Sequence, residues 1–545
     1  MDALKALNDD PDAGAVLFIH APTAIVPSAG IARALVPLAA LTPPRLMACW
    51  LGEAAVLEAR TIFQQAGIAS YATPEEAVRA FGMLVAYRRN QAQLMEAPAI
   101  VTGVAPAAEG QDIVAVRSLV QRVLAEGRDM LTEPEAKDVL AACGIPVVPT
   151  RSVGMEPSDA SDAAEAIGFP VALKILSTDI SHKSDVGGVV LNLASAADVS
   201  AAAQTMLARI RGSHPTARID GFTVQAMVRR SHARELIVGA SIDSVFGPVI
   251  LFGQGGTSVE VVADRAVALP PLNTVLARAL VERTRVAKLL GGFRDTPAAD
   301  LDALCAVLVA VSQIVADVPE IAELDINPLI LSHEGAIALD ARIRVSAAES
   351  GGAEHFAIRP YPSSLHETVQ WQGRTLTLRA IRPEDEAQHL AFLARLSPED
   401  IRMRVFYSRR NIERSELARM TQIDYERETA IVAVAPGPDG IEETLGVARA
   451  MADPDNIDAE FGIIVRSDVK GTGLGLLLMT KLIRTLREHG TQRLIATVLS
   501  GNDRMLALGQ ELGFVSSRPA HADGTQALQL MLRTEDAGTG RLNRD

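Results

Sequence analysis

The first hundred residues alternate short apolar runs with segments that repeat apolar residues at helical spacing. The runs cover residues 14–20, 45–51 and 67–71, and the helical patterns cover 28–40, 52–66 and 73–89. Short apolar runs predict strands, and apolar residues three and four positions apart predict helices. A strand–helix alternation with short loops is typical of a parallel, doubly wound sheet.

Two loose stretches divide the remainder of the chain. Residues 97–110 are rich in Ala, Pro and Gly and indicate a linker, and residues 346–352 and 360–364 break the pattern a second time. After the first linker, Thr132 and Glu135 have the spacing of a helix capping box. We therefore expect three domains, at residues 1–110, 125–345 and 370–535.

The most informative segment of the third domain runs from residue 459 to residue 490. An apolar strand, Phe461–Val465, is followed by the glycine-rich loop Lys470–Gly475 and then by an amphipathic helix. Backbone N–H groups at a helix N-terminus bind anions, and glycines let a pyrophosphate approach the chain closely. The sequence predicts a phosphate-binding loop here, and a plain tight turn is the alternative.

The order of elements around this loop resembles that of the GNAT acetyltransferases over residues 373–518. The resemblance begins at Leu376–Arg379 and Arg382–Asp385 and continues through the strand 493–499 to Gly513 and Phe514. It implies that a C-terminal α+β domain binds acyl-CoA through Ile463, Val465, Lys470, Gly471, Thr472, Gly473, Leu474, Gly475 and Asn502. Lys470 departs from the family pattern, which has Arg or Gln there. Asn502 could equally cap a helix.

The pair Glu460-Phe461 in the strand before the loop resembles the bacterial Pat type of protein lysine acetyltransferase, a GNAT domain fused to an acyl-CoA-ligase-like region. That resemblance implies that acetyl-CoA is the co-substrate and that a protein lysine is the acceptor, acetyl-CoA synthetase being the family's familiar target. A lysine amine has a pKa of about 10.4 and must lose a proton before it attacks a thioester. Glu460 is the expected general base. Alternatively, Glu460 merely ends the acidic surface turn 453–458.

Lysines are scarce in this chain, and two of them lie close together in the second domain. Only seven of the 52 basic residues are lysines, yet Lys174 and Lys183 are nine residues apart. An ammonium group can neutralise nucleotide phosphates as a point charge. Further along, the amide of Asn327 and the carboxylate of Asp340 are oxygen ligands that suit Mg²⁺.

These segments, with Gly253–Gly256, resemble the ATP-grasp part of the NDP-forming acyl-CoA synthetases over residues 125–345. The resemblance implies an ATP site at Lys174, Gln225, Val228, Glu235, Gly255 and Gly256, with Mg²⁺ on Asn327 and Asp340. His182 matches a histidine that relays a phosphoryl group in active synthetases, and the alternative is a polar loop histidine in an inactive relative.

The first 105 residues resemble the second flavodoxin-like domain of the same synthetases, with Ile19–Pro22 matching its first strand and loop. In the complete architecture, a CoA-binding domain and a flavodoxin-like domain with a Ser-His-Thr-Gly stretch come earlier. This sequence contains no such stretch. The expected fold is thus a multidomain α/β protein: a flavodoxin-like domain, an ATP-grasp domain and a GNAT domain, without the usual N-terminal CoA-binding part.

Composition narrows the function classes. A formal net charge of −14 argues against nucleic acid as a partner, and no apolar run approaches the ~18 residues that would cross a membrane. The three cysteines are far apart, fit no metal spacing and are expected to pack in the core of a cytoplasmic protein. The basic cluster Arg402, Arg404, Arg409 and Arg410 is expected on a solvated face, with CoA phosphates or an acidic protein as alternative contacts.

The sequence therefore predicts an acetyl-CoA-dependent protein lysine N-acetyltransferase with a nucleotide-binding, ligase-like regulatory region. An alternative is the nucleotide-binding half of an ADP-forming acyl-CoA synthetase that works with a separate CoA-binding subunit. A third hypothesis makes the first 345 residues a binding module that reports ATP or acyl-CoA levels. The expected assembly is a homo-oligomer or a pair with that separate subunit.

Overall fold

The computed structural model describes most of the chain. The residues described are 4, 6–7, 10, 14–23, 25–39, 46–98, 112–180, 183–256, 263–292, 294–347, 356–405, 412–437, 440–516 and 524–533. They form two compact units, residues 1–95 and residues 96–545.

The first unit contains a parallel sheet, as the strand–helix alternation predicts. Its strands are β1 (Val16–His20), β2 (Leu46–Trp50) and β3 (Ser70–Tyr71), in that order across the sheet. Its helices are α1 (Ser28–Ala39), α2 (Leu57–Gln65) and α3 (Pro74–Leu94). The core is aromatic: the fully buried Trp50 ring meets the rings of Phe18 and Phe63 edge-on, at 5.6 and 5.1 Å between centroids.

In the second unit, the chain up to residue 345 forms two antiparallel sheets. The four-stranded sheet has the order β4-β7-β5-β6. The six-stranded sheet has the order β10-β9-β8-β11-β12, and β13 also pairs with β11. The strands are β4 (Thr150–Val153), β5 (Val171–Leu176), β6 (Val189–Leu193), β7 (Gly221–Ala226), β8 (Arg234–Asp243), β9 (Gly247–Gln254), β10 (Arg265–Ala268), β11 (Ile321–Ser332), β12 (Gly335–Ala338) and β13 (Ala341–Val345).

Each of these two sheets packs on helices through its own apolar core. The helices are α4 (Ile113–Ala125), α5 (Glu133–Ala142), α6 (Pro157–Ile167), α7 (Ala196–Ser213), α8 (Thr274–Glu282), α9 (Ala287–Leu290) and α10 (Leu301–Asp317). The predicted capping box opens α5: the Thr132 side chain accepts from the Glu135 amide, and the Glu135 carboxylate accepts from the Thr132 amide at 2.8 Å.

The rest of the second unit is built on one eight-stranded sheet of order β14-β15-β16-β17-β18-β19-β21-β20. Its strands are β14 (Glu367–Trp371), β15 (Arg374–Ala380), β16 (Glu428–Pro436), β17 (Glu442–Ala452), β18 (Asp458–Val465), β19 (Arg493–Leu499), β20 (Val515–Ser516) and β21 (Thr525–Met531). Its helices are α11 (Glu386–Ala394), α12 (Pro398–Val405), α13 (Arg414–Thr421), α14 (Leu474–Glu488) and α15 (Asp503–Glu511). The buried face of α14 packs on the sheet through Leu474, Leu478 and Leu482.

The cysteines and the lengths of the helices are two further properties of this fold. All three cysteines, Cys49, Cys143 and Cys305, are buried free thiols. Among the described helices, none has both the length and the apolar character that a membrane crossing requires.

Candidate functional sites

The glycine loop leads directly into α14 and leaves the start of that helix open. Gly471 and Gly473 have φ angles of +76° and +83°, a conformation that residues with a Cβ adopt only at a cost. Gly473 is the N-cap and provides no side chain to bond the first helical amides, and the first turn contains no acidic residue. The N–H groups of this turn are therefore oriented toward an incoming anion, with the positive end of the helix dipole behind them.

The adjacent strands β18 and β19 separate beside this loop. They pair in parallel only at Asp458, Ala459 and Glu460. From Phe461 to Val465, β18 stays paired with β17 on its other edge. The edge of β18 that faces β19 is thus released from the ladder, and its backbone groups can bond a ligand that enters the gap.

Two of the predicted site residues, Ile463 on β18 and Gly475 on α14, lie close to each other. Ile463 and Val465 are half-buried, and Ile463 approaches Gly475, where an added Cβ would lie 3.8 Å from the Ile463 side chain. Glu460 lies at the last paired position and is exposed. From Glu460 to Val465 the strand advances about 16 Å, at about 3.3 Å per residue.

Three side chains around the loop have structural partners. The ammonium of Lys470 pairs with the carboxylate of Asp400. The indole of Trp371 donates a hydrogen bond to the carbonyl of Thr472 at 3.0 Å. The side-chain oxygen of Asn502 accepts from the Met505 amide at 3.2 Å and so caps α15, the alternative that the sequence left open.

Of the four arginines expected on a solvated face, the structure describes two. Arg402 is exposed, but Arg404 turns inward and its guanidinium covers the backbone of Gly462, where an added Cβ would lie 2.2 Å from Cζ. The expectation is therefore wrong for Arg404. Arg409 and Arg410 lie outside the described residues.

A second cluster of polar groups lies in the region before residue 345, around the buried carboxylate of Glu133. Three lysines donate to it: Lys174 at 2.7 Å, Lys137 at 3.0 Å and Lys183 at 2.6 Å. Lys137 also donates to the Gln225 side chain at 2.9 Å. Residues from four separate segments thus form one site, and we call these three lysines with Glu133 the lysine cluster.

The electrostatics of the lysine cluster favour a further anion. Burial alone would raise the pKa of the Glu133 carboxyl, but Lys174, Lys137 and Lys183 together hold it well below its ordinary value. Burial lowers the pKa of Lys137, against the opposing pull of Glu133. Three ammonium groups share one buried carboxylate, and Asp340 reaches Lys174 only at 3.9 Å. The site therefore has room for additional negative charge.

The two predicted metal ligands lie next to each other at this site. The backbone N–H of Asn327 donates to the carbonyl of Asp340 at 3.3 Å. Burial raises the pKa of Asp340, Lys174 opposes that shift, and the charge of Glu133 adds to it. Among the described residues no three His, Cys, Asp or Glu side chains group as a metal site. An amide and one carboxylate still fit Mg²⁺, which keeps several waters and is commonly shared with substrate phosphates.

The other predicted nucleotide residues group beside β8. The N–H of Gly255 donates to the carbonyl of Glu235 at 2.8 Å, and an added Cβ on Gly256 would lie 2.6 Å from the Glu235 carboxylate. Val228 and Glu235 line an open hollow of about 480 Å³. His182 lies outside the described residues.

Sequence reasoning missed Glu133 and Lys137, which are as central to the cluster as Lys174. The sequence did contain a pointer to Lys137, because it is another of the seven lysines. Glu133 gave no such indication. It stands in the first turn of α5, where an acidic residue is ordinary helix chemistry.

Comparisons with known proteins match these two regions separately. Residues 122–345 match the family described as "ATP-grasp domain", and residues 375–515 match "Acetyltransferase (GNAT) domain". An acetyltransferase of Pseudomonas aeruginosa is 30% identical over 156 residues, which cover 29% of this chain and 83% of the relative.

Two ADP-forming ligases resemble the earlier part of the chain. The ADP-forming acetate–CoA ligase I of Archaeoglobus fulgidus is 34% identical over 344 residues, covering 63% of this chain and 47% of the relative. The beta subunit of the Pyrococcus furiosus ADP-forming acetate–CoA ligase I is 35% identical over 231 residues, covering 42% of this chain and 98% of the relative.

The chain spans about half the length of the Archaeoglobus ligase, yet nearly the whole of the Pyrococcus beta subunit. The expected mixed α/β fold with an ATP-grasp domain and a GNAT domain is confirmed. The chain belongs to the family of ADP-forming acyl-CoA ligases through its ATP-grasp domain, and it carries in addition a GNAT domain, the fold of an N-acyltransferase.

Proposed function

We propose that the protein is a Pat-type, acetyl-CoA-dependent lysine N-acetyltransferase whose ligase-like region binds nucleotide and regulates the transfer. The observation that supports it best is the arrangement of three features in a row: the open glycine loop, the released edge of β18 and Glu460. An extended acyl-CoA with its pyrophosphate on the loop would carry its thioester toward that carboxylate.

In this proposal Glu460 accepts a proton from the lysine ammonium of a protein substrate, directly or through a water. The neutral amine then attacks the thioester carbonyl, the C–N bond forms and the C–S bond breaks, and the departing CoA thiolate takes up the second proton that the nitrogen loses. The pyrophosphate contacts are the backbone N–H groups of residues 471–475. The Lys470 ammonium is not a free phosphate ligand, because it is already paired with the Asp400 carboxylate.

Steady-state kinetics with a lysine peptide and acetyl-CoA test the assignment of the base. Glu460→Gln is expected to lower kcat by about 10²–10⁴-fold at neutral pH, with unchanged affinity for acetyl-CoA. Glu488→Gln, an exposed glutamate at the end of α14, is the matched control and is expected to keep full activity. Full activity of Glu460→Gln would exclude Glu460 as the base.

For the regulatory region we propose an ATP site on Lys174, Gln225, Val228, Glu235, Gly255 and Gly256. Asn327 and Asp340 would hold Mg²⁺, which would neutralise phosphate charge when bound. The acceptor protein we propose is acetyl-CoA synthetase, in the cytoplasm. Equal transferase kinetics with and without ATP would contradict the regulatory role.

A second candidate function is the nucleotide-binding half of an ADP-forming acyl-CoA synthetase, with a separate CoA-binding subunit. It is favoured by the match to almost the whole of a beta subunit and by the surplus positive charge of the lysine cluster. Here His182 would carry the phosphoryl group. The test is transfer of label from the γ-phosphate of ATP to the protein, with and without such a subunit, and absence of label in both cases contradicts this candidate.

A further inference from the structure

A cavity of about 340 Å³ lies in the GNAT domain, between the helices α11–α13 and the strands β17 and β18. Its walls are mainly apolar and include Leu393, Ile401, Val447 and Ile464. This volume is at the lower end of the ~300–1,000 Å³ typical of small-molecule sites.

The charged group that dominates this cavity is the guanidinium of Arg404. It lies against Gly462, so the strand itself forms the floor beneath it. Among the described residues it forms no ion pair. Its charged neighbours are Arg449, which repels it, and Glu460, which attracts it. Burial and the charge of Arg449 lower the pKa of Arg404, which shows that the environment disfavours the uncompensated cation.

The other charged side chains of the cavity wall already take part in interactions of their own. Arg449 is already bonded to the carboxylate of Glu428 and to the carbonyl of Met420. Glu416 also lines the cavity and takes part in an interaction of its own. Among the described residues, Arg404 is thus the cation of this wall without an ion pair.

His389 adds a second, uncharged recognition group. It is 4% exposed and lines the cavity, and its Nδ1 has no hydrogen-bond partner within the part of the chain that the structure describes. Burial and the charge of Arg449, against the opposing effect of Asp385, together lower its pKa to about 4, so the ring is neutral at pH 7. A buried polar atom without a partner is unfavourable, and a ligand able to bond it would recover that loss.

We propose that this cavity binds a small carboxylic acid with an apolar body, its carboxylate paired with Arg404 and within reach of His389. A guanidinium matches a carboxylate with two parallel hydrogen bonds, and the apolar walls suit a branched aliphatic chain. A single available positive charge matches a monovalent acid better than a phosphate. Glu460 shares the face of β18 with Gly462 and Ile464, so the acid would lie on the side of the sheet where Glu460 stands.

Binding of 4-methylpentanoate to the full chain tests this site without reference to transferase activity. Isothermal titration with the acid and with its neutral amide is expected to give at least tenfold weaker binding of the amide. Arg404→Gln is expected to weaken the acid at least tenfold. Arg402→Gln changes the exposed arginine of the same helix and should leave the affinity unchanged.

A third variant moves the guanidinium without removing it. Gly462→Ala places a methyl group where Arg404 lies and is expected to weaken the acid as well. If Arg404→Gln fails to fold, as circular dichroism would show, the comparison of acid and amide on the unaltered protein decides. Equal affinities for acid and amide, no binding of either at about 10 mM, or an Arg404→Gln variant that binds the acid normally would each overturn the proposal.

Discussion

The glycine loop and the lysine cluster differ in the groups that they present to an anion. The loop presents backbone N–H groups at the start of α14, and its one lysine is held by Asp400. The lysine cluster presents three ammonium groups that are already gathered on a carboxylate of the protein, Glu133. The loop is thus ready for an anion as it stands, whereas in the cluster Glu133 occupies the position that a phosphate would compete for.

The largest expected effect comes from removing that internal anion. Glu133→Gln leaves three ammonium groups, those of the buried Lys137 and Lys174 among them, without their shared carboxylate, and such an unpaired buried charge costs about 3–5 kcal/mol. We expect the free energy of unfolding of the ATP-grasp region to fall by that amount. ATP should stabilise the variant more than the unaltered protein, because its phosphates can replace the lost carboxylate.

Urea denaturation with and without ATP measures both effects. Glu165→Gln, an exposed glutamate on α6, is the control. Because the folded protein holds the pKa of Glu133 well below its ordinary value of 4.5, this stabilisation is present above pH 4.5 and is lost only in stronger acid. A Glu133→Gln variant as stable as the unaltered protein would contradict the role given to Glu133.

A smaller effect is expected at the loop, where geometry rather than charge is altered. Gly473→Ala meets no neighbouring atom within 4 Å, so its cost is the left-handed backbone conformation, about 1–2 kcal/mol. That cost favours loop conformations whose amides no longer converge, and we expect acetyl-CoA to bind about tenfold more weakly.

Gly212→Ala is the matched control for this change, because Gly212 is helical and equally uncrowded. Calorimetric titration with acetyl-CoA measures both variants. Unchanged affinity in Gly473→Ala would show that the conformation of this glycine does not set the anion site. ATP affinity is expected to stay the same in both.

The smallest expected effect concerns the hydrogen bond between Trp371 and Thr472. Trp371→Phe keeps an aromatic ring but removes the indole donor, at a cost of about 1 kcal/mol. Acetyl-CoA affinity should fall about fivefold, whereas ATP affinity should stay the same, since no contact among the described residues joins Trp371 to the lysine cluster. Equal acetyl-CoA affinities in titrations of both proteins would mean that the loop holds its shape without this bond.

The two regions also differ in how much the sequence could predict. The strand, loop and helix around Gly473 are contiguous, so local patterns and glycine placement predict them together. The separation of β18 from β19 after Glu460 is a property of two strands about thirty residues apart, and no local pattern encodes it.

The sequence pattern predicts only part of the lysine cluster. Lys174 and Lys183 stood out because lysine is rare, but Glu133 comes from a helix more than forty residues earlier. The expectation of a solvated face for Arg404 follows from where charged residues usually lie, yet the missing side chain of Gly462 leaves room for its guanidinium against the strand. Such long-range partnerships depend on tertiary packing rather than on spacing.

In the proposed function, the protein transfers acetyl groups to protein lysines, with acetyl-CoA bound between the glycine loop and Glu460. The most direct measurement incubates the full chain with acetyl-CoA and a cell lysate and maps new acetyl-lysines by mass spectrometry. We expect a defined set of new acetyl-lysines with the unaltered protein, absent with Glu460→Gln. The same set from both proteins, or no new acetyl-lysine from either, would contradict it.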